Sequence, residues 1–188
     1  MRRNVRFAVL SAMVLLLRAG SPAAADDSPE DVAERINKAL DNQDATALVA
    51  EIAPSQRGEM LLEFADMVSM FAADPEKGAE INEEWESLVA EHGFTEDVKR
   101  WQEGQELAYA ERTKFNEEEV AKLRQRDCSA FAAAVLEIID RLTEGSFFSG
   151  FQRGQLTALE VDGDSASGEV DGATVNFVKE EGRWYMTV

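Results

Sequence analysis

The chain has one cysteine, one histidine and two tyrosines in 188 residues, and about half as many bases as acids. Each scarcity removes a class of protein. A lone cysteine, Cys128, rules out an intramolecular disulfide and a lipid-bearing cysteine at the end of a leader. With His92 the only histidine, a zinc site would have to be built mainly from carboxylates, and a nucleophilic triad would hang on one ring. Lys and Arg number 19 against 37 Asp and Glu, a charge of −18 that repels phosphate backbones and anionic lipid surfaces. Nucleic-acid binding and polybasic membrane anchoring are excluded on that ground. Long apolar runs are also missing. The longest, Phe7 to Leu17, has eleven residues and at about 1.5 Å each falls well short of the roughly 30 Å of a bilayer core.

What surrounds that run gives it a meaning. Arg2, Arg3 and Arg6 precede it and Ala23, Ala24 and Ala25 follow, the pattern of a cleavable secretory signal over residues 1–25. The expectation is a periplasmic or secreted protein cut near Ala25, with no membrane segment once the leader is gone. Residues 1–25 hold four arginines and no acid, so 15 bases face 37 acids in the rest and the charge becomes −22. The 163 residues from Asp26 suit a single domain over 26–188 whose core needs no covalent staple.

Helical signals fill residues 29–143. Ser28, Pro29, Glu30 and Asp31 form a strong start, predicting a helix over Pro29 to Asp41 with Val32, Ile36, Ala39 and Leu40 on its buried stripe. Asp44 caps a second helix that Pro54 stops. Met60, Leu61, Phe64, Met67, Val68 and Phe71 recur at helical spacing over about Gln56 to Ala73. Asp74 and Pro75 predict the start of a fourth helix, ended by His92 and Gly93. A fifth begins at Thr95 with Val98, Trp101, Ala108 and Tyr109 on one side and a weak point at Gly104. Asn116 with Glu117, Glu118 and Glu119 is expected to open a last stretch running to Thr143 with a kink near Asp127. Cys128 lies there on the apolar face shared by Phe131, Val135, Ile138 and Leu142, which predicts burial.

Beyond Gly145 the period changes to two. Leu156 to Val161, Ser165 to Val170, Ala173 to Lys179 and Arg183 to Val188 read as strands, joined by turns at Asp162–Asp164, Asp171–Gly172 and Glu181–Gly182. The predicted fold class is α+β: N-terminal helices packed on a C-terminal four-stranded antiparallel meander over 156–188. Charge divides along the same line, since residues 26–145 carry 30 acids and 12 bases while 146–188 carry 7 and 3.

Two stretches carry a family resemblance. INKALDNQDATALVAEIAP, Ile36 to Pro54, resembles the first helical pair of the NTF2-like proteins, the SnoaL and steroid-isomerase type of cone. ATVNFVKEEGRWYMTV, Ala173 to Val188, resembles the final hairpin of that superfamily and of related secreted domains of unknown function. The resemblance implies a curved sheet wrapped on helices with a pocket between them, used for catalysis in some members and for binding alone in many. Between the two stretches this chain differs, placing helices over 56–143 where the family has strands sooner.

Candidate chemistry is thin. Asp162, Asp164, Glu169 and Asp171 gather oxygens but lack the spacing of a calcium loop, so turn chemistry explains them and no metal or cofactor is expected. His92 reads as an imidazole at a negative helix end. Met60, Met67 and Met70 with Phe64 and Phe71 suit either a core stripe or a groove for an acyl chain, a flat ring or a partner helix. Met60, Phe64, Met67, Phe71, Trp101 and Tyr109 are the candidate ligand-binding residues. A cone-type isomerase or dehydratase would need a carboxylate base and a phenol in an apolar pocket; Tyr109 and Tyr185 are the only phenols, and no acid matches the family's base. The sequence therefore favours a non-catalytic module binding a small apolar ligand or a protein partner. A small pocket enzyme is the alternative, and a structural or oligomeric exported protein, such as a homo-oligomer, the third class.

Overall fold

The computed structural model describes residues 27–75, 78–151 and 153–188, so the leader and its cleavage position lie outside the described residues. The first helix, α1, runs over Pro29–Asp41. Ser28 Oγ accepts from the Asp31 N–H and the Asp31 carboxylate accepts from the Ser28 N–H at 3.0 Å, a reciprocal cap worth about 1 kcal/mol. After a turn through Gln43, Asp44 Oδ1 accepts from the Ala47 N–H at 2.8 Å and starts α2, Ala45–Ala50. A short 3-10 turn at Pro54–Gln56 leads into α3, Arg57–Ala72.

The fourth helix departs from expectation. It spans Gly78–Glu91 (α4), and Asp74 and Pro75 lie outside it. At Gly78 the chain doubles back so closely on α3 that an added Cβ would sit 2.1 Å from the Ala72 carbonyl oxygen. The next correction concerns 95–143. The chain forms α5 over Thr95–Gln105, α6 over Tyr109–Leu123 and α7 over Ser129–Leu142, so Asn116 and the three glutamates lie inside α6 instead of opening a helix. Long-range contacts override the local signal. Gly104 leaves room for the Phe115 ring, which an added Cβ would meet at 2.4 Å. Glu119 is buried between Lys122 and Arg100, whose Nη2 lies 2.9 Å away, so this acid bolts α6 to α5 instead of facing a helix dipole.

α7 lies at the centre of the helical part, burying Phe131, Ala132, Val135, Leu136 and Ile139 against α2, α3 and α4. Phe131 stacks on Phe94 at 4.6 Å, on Trp85 at 5.8 Å and on His92 at 5.4 Å. The His92 ring thus lies flat on an aromatic cluster. Cys128 is buried just ahead of α7, and burial pushes its thiol up to about 11. The folded protein therefore holds the proton more tightly than the unfolded chain does. That contribution is intact below about pH 9 and is lost as the pH climbs towards about 11. Native protein at pH 8 should leave Cys128 unmodified by iodoacetamide, with full alkylation in urea; fast labelling of the native protein would contradict the burial.

A one-turn helix, α8 at Ser146–Ser149, buries Phe148 and leads to the sheet. The strands β1 (Thr157–Asp162), β2 (Ser165–Val170), β3 (Ala173–Glu180) and β4 (Arg183–Met186) pair antiparallel in the order β1-β2-β3-β4. The fold is α+β, helices first and a four-stranded antiparallel meander last. Asp171 and Gly172, then Glu181 and Gly182, take left-handed φ values of 49, 79, 52 and 87°, the conformation that matches two-residue hairpins to strand twist. A bulge with Ala158 at φ 50° interrupts β1. The end of α2 joins the sheet edge: the Met186 N–H donates to the Glu51 carbonyl at 2.8 Å and the Ala53 N–H to the Met186 carbonyl at 3.0 Å. Ala166, Val170, Phe177 and Trp184 on the inward sheet face share one buried cluster with Val32 and Leu40 of α1 and the interior of α3 and α7.

Candidate functional site

α1 and α2 do not close fully on the sheet. A cavity of about 340 Å³ separates them. Ala33, Ile36, Asn37 and Leu40, spaced three, four and seven apart, present one face of α1, and Leu48 of α2 stands beside them. Opposite, Val170, Val175, Phe177 and Met186 come from the inward positions of β2, β3 and β4, while Gly150 and Phe151 border the opening. The volume lies at the low end for small-molecule sites and is about twice the ~150 Å³ that accommodates benzene.

Among the described residues the lining contains no ionisable side chain. Its one polar side chain, Asn37, is already satisfied: the amide donates to the Gly154 carbonyl at 2.8 Å and accepts from the Gly154 N–H at 3.2 Å. A larger hollow of about 640 Å³ lies between α4 and α7, but Glu80, Glu83, Glu84, Glu91 and Glu137 make it an open acidic trough. Another of about 570 Å³ crosses the polar outer face of the sheet. Neither offers a concave apolar surface, so the smaller cavity is the better ligand site.

An ionic network aligns the cavity walls. Arg183 Nη2 of β4 donates to Glu51 Oε1 at 2.8 Å, and Arg35 Nε of α1 lies 2.9 Å from the same oxygen. Arg35 Nη1 also donates to Asp27 Oδ1 at 2.8 Å, and Asp27 Oδ2 accepts from the Trp184 N–H at 3.2 Å. Burial alone would lower the pKa of the Arg35 guanidinium; its hydrogen bonds and charge contacts with Glu51 and Asp27 outweigh that and raise it. The residue that opens the described chain is thus tied to the last strand.

The residues singled out from sequence fall elsewhere. Met60 is buried in the core, and Phe64, Met67 and Phe71 are half-buried along the rim of α3. Trp101 is buried, and its indole N–H donates to Asp66 Oδ1 at 2.8 Å, pinning α5 to α3. Tyr109 begins α6, and its side chain lies outside what the structure describes. None of the other five lines the cavity. On β4, Trp184 faces the core and Met186 the cavity, which turns Tyr185 to the outer face between Arg57 and Arg183. Sequence reasoning assigned Ile36 and Leu40 to the core and did not foresee the space beside them. The signal that pointed nearest was the pair of stretches 36–54 and 173–188, which supply Ile36, Leu40, Leu48, Val175, Phe177 and Met186.

No protein-family model, curated protein or solved structure matches this chain. Among the described residues no group of His, Cys, Asp or Glu is arranged to hold a metal ion, and no helix is long and apolar enough to cross a membrane.

Proposed function

We propose that the protein is an exported, non-catalytic binding module that takes a small apolar molecule between the α1–α2 pair and the sheet. The observation that carries this reading is the cavity lining, free of ionisable groups among the described residues and apolar but for one amide, which is engaged in holding Gly154. Such a site offers burial of apolar surface as its whole driving force, at about 25 cal/mol per Å². A cone-type isomerase would need an acid or a phenol in that space, and Tyr185 stands on the other side of the sheet. Export rests on the arginine-flanked leader, and an NTF2-like ancestry on the helical pair and final hairpin that border the cavity.

Native mass spectrometry of the exported protein, isolated without detergent, is the test. A discrete small-molecule adduct should accompany the wild type and disappear in Val175→Trp, which fills the cavity. An adduct that survives the substitution, or a wild type that carries none and fails to bind phenylnaphthylamine, would overturn the assignment.

A further inference from the structure

We infer that the cavity's ligand is a linear aliphatic chain without an anionic head, whose far end fills the cavity and whose nearer part lies along Phe151, Phe147 and Phe64. The inference rests on the binding reading above and adds the ligand's shape. Phe151 lines the cavity and is 36% exposed, so its ring stands at the mouth. It meets Phe147 edge-on at 5.1 Å, and Phe147 meets Phe64 edge-on at 5.9 Å. Phe64 continues on α3 to the half-buried Met67 and Phe71, three and seven residues on. Apolar side chains, each partly open to water, therefore run without a break from the cavity mouth to the rim of α3.

Shape decides among occupants. A compact ring that fits 340 Å³ would leave this row uncovered. An amphipathic helix, about 10–12 Å across with its side chains, could cover the row but could send no part of its backbone inside. A single alkyl chain is narrow enough to do both. An anionic head would meet a guanidinium at the mouth that is already engaged. Arg153, the guanidinium nearest the mouth in sequence, donates to the Leu40 carbonyl at 3.3 Å and the Phe148 carbonyl at 3.0 Å, with Asp41 at 3.8 Å. A net charge of −18 further disfavours an anionic head.

Normal alcohols from octanol to tetradecanol, competed against phenylnaphthylamine on the full chain, test the idea. Affinity should keep rising about fourfold per added methylene through tetradecanol, because each new carbon is buried on the aromatic row after the cavity is full. Phe147→Ser, and independently Met67→Glu at the outer end, should remove that rise for the longer alcohols while octanol binds as to the wild type, which also certifies the fold. A plateau reached at octanol, unaffected by either substitution, would overturn the inference and leave the cavity assignment standing. Failure of every alcohol and of the probe to bind would remove both.

Discussion

Replacing Phe131 with alanine should lower the melting temperature by about 10 °C. The ring is 1% exposed and is shared by Trp85, His92 and Phe94, and the Arg126 guanidinium lies 3.9 Å above the Phe94 ring. Truncation removes buried apolar area and leaves a void that three aromatic neighbours, held by α4 and the turn that follows it, cannot collapse to fill. Phe-to-Ala changes of this kind cost about 3–5 kcal/mol. For a chain of this length each kcal/mol shifts the midpoint by about 2–4 °C. Thermal unfolding followed by circular dichroism reads the shift. Phe131 does not line the cavity, so alcohol affinity at 20 °C should stay within about twofold. A midpoint within 2 °C of wild type would mean that the aromatic cluster is not a structural centre.

Replacing Glu51 with alanine should cost about 2 kcal/mol in urea denaturation. Its carboxylate is 7% exposed and faces two guanidiniums, so truncation leaves Arg35 and Arg183 close together with Asp27 as their only nearby carboxylate in the network. The estimate lies below the ~3–5 kcal/mol typical of a fully buried pair because the two arginines are 36% and 42% exposed and can rehydrate. A double-mutant cycle with Arg183→Ala isolates the pair, with an expected coupling of about 1 kcal/mol; strict additivity would show that α1, α2 and β4 are aligned by other means.

The parts of this fold that could be read from the sequence are those written locally. Ser28, Pro29 and Asp31 announce α1 within four residues, Asp44 announces α2, and Asp171–Gly172 and Glu181–Gly182 announce hairpins because those turns demand residues tolerant of positive φ. The start of α6 could not be read in the same way. Asn116 and three glutamates carry every local mark of a helix opening, yet the chain is already helical from Tyr109, held there by Phe115 on Gly104 and Glu119 on Arg100. Both contacts join residues that only the tertiary fold brings together.

The cavity was illegible for a different reason. Ile36, Leu40, Leu48 and Val175 have the spacing of any buried face, and periodicity reports which way a side chain points without reporting whether another fills the space in front of it. Glu51 hid likewise: an acid at the end of a short helix reads as solvated surface, and its burial depends on Arg183, 132 positions away. Phe64, Met67 and Phe71 were singled out for their adaptable, flat side chains; the structure leaves them half-buried on α3, outside the cavity lining, with Phe64 edge-on to Phe147.

The central claim is a dry apolar space between the first two helices and the sheet, and a crystal of the protein pressurised with xenon tests it most directly. Xenon should bind among Ile36, Leu48, Val175 and Phe177, with no ordered water there, as it does in apolar cavities large enough to hold it. Closure of these four side chains on one another, or a hydrogen-bonded file of waters in their midst, would contradict the account.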